Sequence, residues 1–223
     1  MEKRKAGMPV SHMAILIAAC VRTIRDYPEF NRFIMNSKLY DHTDFTISLL
    51  IMRPGADDSI MSKILFDLND NIFMVHKKVE AYIDENRGPQ EPTDTDNAIR
   101  TMMSMPVILN GIMALIRFLD RCGWLPKALI DVSPFHASMG ISNLASLKTP
   151  SVFHHLYEMG TTSCFIVIGK EQIVPLEKDG VLVPVRTMPI GMTLDERICS
   201  GVYFTKCLDR LRHYMEHPAE MEQ

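Results

Sequence analysis

The stretch at 193–204, TLDERICSGVYF, places Asp195, Glu196 and Arg197 between an apolar run and a helix-forming segment, with Ser200-Gly201 as the turn between them. A carboxylate held at a strand-to-helix turn can act as a general base toward a thiol or a hydroxyl. It starts with a handicap. An unperturbed thiol near pKa 8.5 gives its proton to a histidine near 6.5 against roughly 2 units, and to a glutamate near 4.3 against roughly 4. The difference is about 3 kcal/mol, or two decades in rate. Burial at a subunit boundary raises a carboxyl pKa and shrinks that gap.

Other residues with chemical potential are weaker candidates on spacing. His154 and His155 are adjacent, so their side chains should diverge, and no second ligand pair has zinc-like spacing; the expectation is a polar contact and no metal. His136 stands just ahead of an apolar, strand-like run and is within reach of whatever that strand carries. Cys199 has no recognisable histidine partner and reads as a packed thiol. His213 and His217 fall near the end of the last helix, on its wet side.

The elements that must hold these groups can be read from periodicity and punctuation. Ser11 precedes an apolar helix over 12–24 that stops before Pro28. The run 45–52 has strand composition and ends in the turn signal Arg53-Pro54-Gly55. Residues 68–84 read as a helix with Ile72, Val75, Val79 and Tyr82 inward and Lys77, Lys78 and Glu80 outward. The polar segment 85–96 should be an exposed loop. The segment 98–119 reads as a helix, apolar almost all round and broken near Pro106, which needs cover from another element, a subunit or a ligand. Strands are expected at 138–144, 164–169 and 181–187, with a hairpin turn at Lys178-Asp179-Gly180. Another strand should continue over 186–194 toward the 193–204 motif, and an amphipathic helix should close the chain over 203–215. Helices and strands mix without regular alternation, which favours an α/β two-layer sandwich with a mixed sheet.

Bulk composition excludes several classes. The chain has 223 residues, 47% of them hydrophobic, which suffices for one large domain. A formal charge of -3 provides no basic field for nucleic acid or anionic lipid. Five cysteines without a C-x-x-C spacing, and no leader pattern, fit a cytoplasmic protein with reduced thiols. The longest uncharged run, 101–116, falls short of the ~18 residues of a membrane span. Seventeen methionines suit adaptable packing surfaces.

Four segments in order resemble the catalytic domain of dihydrolipoyl acyltransferases, the core subunits of 2-oxoacid dehydrogenase complexes, and their relative chloramphenicol acetyltransferase. These are VSHMAILIAACVRTIRDYPEFN at 10–31, with its Pro-Glu-x-Asn turn, GISNLASL at 140–147, TTSCFIVIGK at 161–170, and LDERICSGVYFTKCLDRLRHYMEHP at 194–218. The likeness covers most of 9–90 and 131–218. It implies a chloramphenicol acetyltransferase-like fold, coenzyme A or an acyl-CoA as substrate, no metal, and a homotrimer with the site between neighbouring subunits.

Carried over residue by residue, the resemblance makes Ser142 the hydroxyl that stabilises the oxyanion. The position of the general base falls on Glu196, where the family motif D-H-R-x-x-D-G has histidine, and the residue that braces the turn falls on Ser200. Asp195, Arg197 and Gly201 match the motif, and Gly201 is expected to permit the turn. The segment at about 91–130 is longer and more apolar than the family's connection, and reads as a helical insert in a single domain spanning 1–223. The family's first strand is missing or reduced, and no lipoyl-bearing domain precedes the core, so the chain reads as a stand-alone or truncated catalytic core. Two functions follow: an acyltransferase whose histidine-based chemistry is impaired, or a non-catalytic trimeric scaffold that docks a partner through the insert.

Overall fold

The computed structural model describes residues 10–52, 59–87 and 106–223. The turn signal at Arg53-Pro54-Gly55 and residues 88–105, which include most of the expected loop at 85–96 and the start of the expected helix at 98–119, lie outside the described residues.

Helix α1 (His12–Asp26) begins where the sequence places it, with Ser11 Oγ accepting from the Ala14 amide at 3.2 Å. It leads through a 3₁₀ turn (Pro28–Asn31) into a short hairpin of β1 (Arg32–Met35) and β2 (Lys38–Asp41). The two hairpin-turn residues Asn36 and Ser37 are both left-handed (φ 49 and 59), as a two-residue turn between right-twisted strands requires. Strand β3 (Phe45–Met52) pairs antiparallel with β4 (Ser59–Phe66).

Helix α2 (Ile72–Arg87) starts four residues later than its periodicity suggests. The reason is local: Asp70 Oδ2 accepts from the Asp67 amide, Asp67 Oδ1 accepts from the Asn69 amide, and Asn71 Oδ1 caps Phe73 and Met74. Short polar side chains thus hold 67–71 in a turn that competes with helix.

After α3 (Pro106–Cys122) and α4 (Lys127–Val132) the chain enters β5 (Met139–Asn143), β6 (Cys164–Ile168), the ribbon of β7 (Gln172–Lys178) and β8 (Val181–Thr187), then β9 (Ile190–Leu194) and α5 (Gly201–Glu216). The main sheet has the order β4-β3-β5-β6-β9, parallel at β3/β5 and β5/β6 and antiparallel at both edges. The mixed sheet of a two-layer α/β sandwich is therefore present. The expected single strand over 186–194 is divided at Met188-Pro189, where Pro189 contributes only its carbonyl, to the Gly169 amide at 2.8 Å. The turn between β7 and β8 forms at Asp179-Gly180 (φ 53 and 78).

One face of the sheet packs Ile47, Leu49, Met139, Ile141 and Ile166 against α1, α2 and α5 in the main core. Asp26 joins α1 to α5, accepting from Arg210 Nε and Tyr214 Oη at 2.7 Å each. On the opposite face, glycines let other chain segments lie flat on the strands. A Cβ at Gly140 would stand 2.4 Å from the Phe165 ring, at Gly169 2.3 Å from Ser151 N, and at Gly191 2.6 Å from Val152 O. Chain segment 151–157 therefore crosses this face, with His154 stacked on Phe165 at 4.1 Å. No described helix is long and apolar enough to cross a membrane.

Candidate functional site

Ser142 sits on β5 on the face away from the main core, next in register to Leu50 and Val167, and is 6% exposed. Its hydroxyl makes no hydrogen bond with the described residues, which leaves a donor free on a buried strand. Glu196 follows β9 and is exposed. It lines a groove of about 570 Å³ together with Thr161, Thr162, Ser163, Asp195 and Arg197.

The backbone there is firmly held. The Asp195 amide donates to Ser163 O at 2.9 Å, and the Asp195 carboxylate receives Arg197 Nε at 2.8 Å and Nη2 at 2.7 Å in a two-pronged fork. Those hydrogen bonds hold the Asp195 carboxyl below its usual range and raise the Arg197 guanidinium. Glu196 is left as the uncommitted carboxylate of the turn. Ser200 is the N-cap of α5, its Oγ accepting from the Tyr203 amide at 3.3 Å. The turn does not depend on glycine at 201: Gly201 has no left-handed φ, and a Cβ there would meet nothing within 4 Å. That corrects the role expected for it.

Ser142 and Glu196 of one chain lie toward opposite ends of the sheet. Ser142 is level with Val167 and Gly191, whereas Leu194, two residues before Glu196, is level with Cys164 and Met139. Three residues along and two strands across separate Ser142 from Leu194 by roughly 14 Å at ~3.3 Å per residue and ~4.8 Å per strand. A hydrogen bond needs about 3 Å. The two cannot act on one reacting group within a single chain.

The remaining candidates are accounted for by packing. His136 is 5% exposed, with Nδ1 2.8 Å from Ser133 Oγ and Nε2 2.8 Å from Asp120 Oδ1, so both ring nitrogens are engaged away from Ser142. His154 and His155 do not diverge as expected: their rings stack at 4.9 Å and 11°, and His154 is itself stacked on Phe165. The segment there is neither helix nor strand, so the alternation of a strand does not separate the two rings. Cys199 is half-buried and its thiol is pushed up to about 11 by burial, which removes it as a nucleophile near neutral pH. His217 caps the end of α5. Among the described residues no group of three His, Cys, Asp or Glu side chains could hold a metal ion.

Sequence reasoning missed a second groove of about 550 Å³ beside the first, sharing Ile34, Arg121, Tyr157, Glu158, Gly160 and Arg197 with it. One wall is α3, which contributes half-buried Met113, buried Asp120 and the exposed Arg117 and Arg121. The signal was present in the sequence as Arg117, Asp120 and Arg121 at three- and four-residue spacing inside an otherwise apolar run.

The mixed sheet, the helical layer on one face and the motif-bearing turn after the last strand define the chloramphenicol acetyltransferase-like α/β class. Similar solved structures include a probable dihydrolipoamide acetyltransferase from Listeria monocytogenes 4b F2365 (TM-score 0.62, 15% identity, covering 96% of this chain and 74% of that one). A dihydrolipoamide acetyltransferase from Azotobacter vinelandii, studied for the catalytic roles of a serine, a histidine and an asparagine, superposes with a TM-score of 0.59 at 15% identity (95% and 71%). A chloramphenicol acetyltransferase gives 0.56 at 13% identity (96% and 81%). In sequence, residues 136–222 match the family described as 2-oxoacid dehydrogenases acyltransferase (catalytic domain). The chain is thus similar to that family in sequence over its C-terminal part and shares the fold over nearly its whole length. No curated protein sequence matches it.

Proposed function

We propose that the chain is a single acyltransferase-type domain with a helical insert at about 91–130, and that it acts as a cytoplasmic homotrimer. Its site is completed across a subunit boundary by Ser142 of one copy and Glu196 of the next. The substrate is an acyl-CoA thioester and the acceptor a thiol or hydroxyl. Ser142 donates to the developing oxyanion, Glu196 takes the acceptor's proton, and Ser200 fixes the turn that carries Glu196. The observation that carries this reading is the sheet register: the serine and the carboxylate at the motif positions are too far apart to cooperate in one chain, yet neither has a competing hydrogen bond among the described residues. Both grooves fall within the ~300–1,000 Å³ typical of small-molecule sites.

A carboxylate in place of an imidazole starts about two decades behind, so turnover should be slow. A second reading, a non-catalytic trimeric scaffold, is favoured by α3, whose outer side exposes Leu115 (57%) and Phe118 (56%). Calorimetric titration with CoA and acetyl-CoA, followed by thiol release with candidate acceptors, separates the two. CoA binding with turnover abolished by Glu196→Gln and by Ser142→Ala supports the enzyme. Absence of CoA binding supports the scaffold.

A further inference from the structure

Helix α3 carries Arg117, Asp120 and Arg121 within an otherwise apolar sequence. A helix on a protein surface normally turns its apolar side inward and its charges to solvent. Here Met113, Ile116 and Leu119 are half-buried and Asp120 is buried, while Arg117 and Arg121 stand exposed along the groove, and Ile112, Leu115 and Phe118 are exposed as well. The charge that lines the groove is not all paired among the described residues. Asp120 is committed, accepting from the Gly160 amide through Oδ2 at 2.9 Å and facing His136 Nε2 through Oδ1. Arg197 is committed to Asp195. Arg117 and Arg121 have no partner among the described residues, and the opposite wall offers Glu158, an exposed carboxylate that likewise has no ion pair among them. Two guanidinium groups one helical turn apart repel each other unless an anion lies between them.

We infer that Arg117 and Arg121 receive the phosphate or carboxylate group of a small anionic ligand seated in the groove beneath α3. The guanidinium fork matches either oxyanion in a two-pronged geometry, which a surface arginine held only by water does not exploit. The volume, about 550 Å³, accepts a ligand larger than a bare ion. Because this groove adjoins the one lined by Glu196 through Arg121 and Arg197, the inference extends the acyl-transfer reading to an anionic substrate or effector, without depending on it. The arginines belong to the insert, the segment in which this chain departs from the family it resembles.

The test uses the full chain at low ionic strength, with inorganic pyrophosphate and citrate as probes. Binding is followed by calorimetry and by the fluorescence of Trp124, the only tryptophan, which packs edge-on against Phe118 at 6.5 Å. At least one probe should bind with one-to-one stoichiometry and weaken as salt screens the charges. Arg117→Gln/Arg121→Gln should lower affinity at least tenfold. Glu158→Gln, which removes the opposing charge, should raise it. Arg186→Gln, on the β8 ribbon where Arg186 pairs with Glu171, should leave it within twofold. Tighter pyrophosphate than citrate identifies a phosphate ligand, and the reverse a carboxylate. Failure of both probes to bind, or equal binding by wild type and the double arginine variant, overturns the inference. Neither probe is an acyl donor, so anion binding without CoA turnover rejects only the transferase reading, and turnover without anion binding rejects only this one.

Discussion

Replacing Asp120 with alanine removes the main polar clasp between α3 and the body of the protein. The carboxylate is 5% exposed and joins three pieces of chain: α3, the His136 segment ahead of β5, and Gly160 ahead of β6. In Asp120→Ala the Gly160 amide and one nitrogen of a 5%-exposed imidazole lose their partner, and the alanine methyl can accept from neither. Hydrogen bonds to a charged group are worth about 1.5–3 kcal/mol each, and two are lost. The expected loss is therefore about 3–6 kcal/mol, a large share of the ~5–15 kcal/mol that holds a typical domain folded. Urea unfolding followed by Trp124 fluorescence and by far-ultraviolet circular dichroism measures it, with Asp120→Asn expected to lose about half as much because it keeps one acceptor. Combining Asp120→Ala with His136→Ala should cost clearly less than the sum of the two single losses. A loss under about 1 kcal/mol for Asp120→Ala, or strict additivity with His136→Ala, would refute the clasp.

Gly160 has φ +91, and a Cβ there would lie 2.1 Å from Phe135 O, a backbone atom that cannot step aside; Gly160→Ala should destabilise by more than about 3 kcal/mol in the same unfolding assay. Burial, reinforced by nearby Lys63, lowers His42 to about 4 despite its contact with Thr161 O. A folded pKa below the unfolded value near 6.5 means that the unfolded chain takes the proton first, so this contribution is intact above pH 6.5 and is lost as pH falls toward 4. It amounts to about 3 kcal/mol, and His42→Gln should flatten the pH dependence of the urea midpoint by that amount across this window. If the chain transfers acyl groups, Glu196→His should raise thiol release from acetyl-CoA by about a hundredfold; an unchanged or lower rate would show that the base is not at 196.

The parts of the fold legible in the sequence were those in which a single local rule acts alone. Ser11 caps α1, Phe45–Met52 is a strand to the residue, and Asp179-Gly180 closes its hairpin because only a left-handed pair fits that turn. Where rules competed, the reading slipped. Side-chain turns at Asp67 to Asn71 delayed α2, and Pro189 divided a continuous apolar run. Strand β7 went unread because Pro175 interrupts it; in the folded ribbon Pro175 sits opposite Pro184 with no third strand to require its missing amide. The motif positions were legible only through resemblance, since nothing in the spacing of Ser142 or Glu196 marks them. The groove under α3 was marked only by Arg117, Asp120 and Arg121 spaced along one side of an otherwise apolar segment, a signal that charge alone does not tie to a groove.

The account turns on Ser142 and Glu196 meeting between copies and never within one. A photo-crosslinking residue placed at 196, in assemblies mixed from ¹⁵N-labelled and unlabelled chains, tests this directly by mass spectrometry. Crosslinks to the peptide bearing 139–147 that join one labelled and one unlabelled chain are the predicted result. Crosslinks to that peptide confined to a single chain, or an assembly that is monomeric when position 196 reacts, would contradict it.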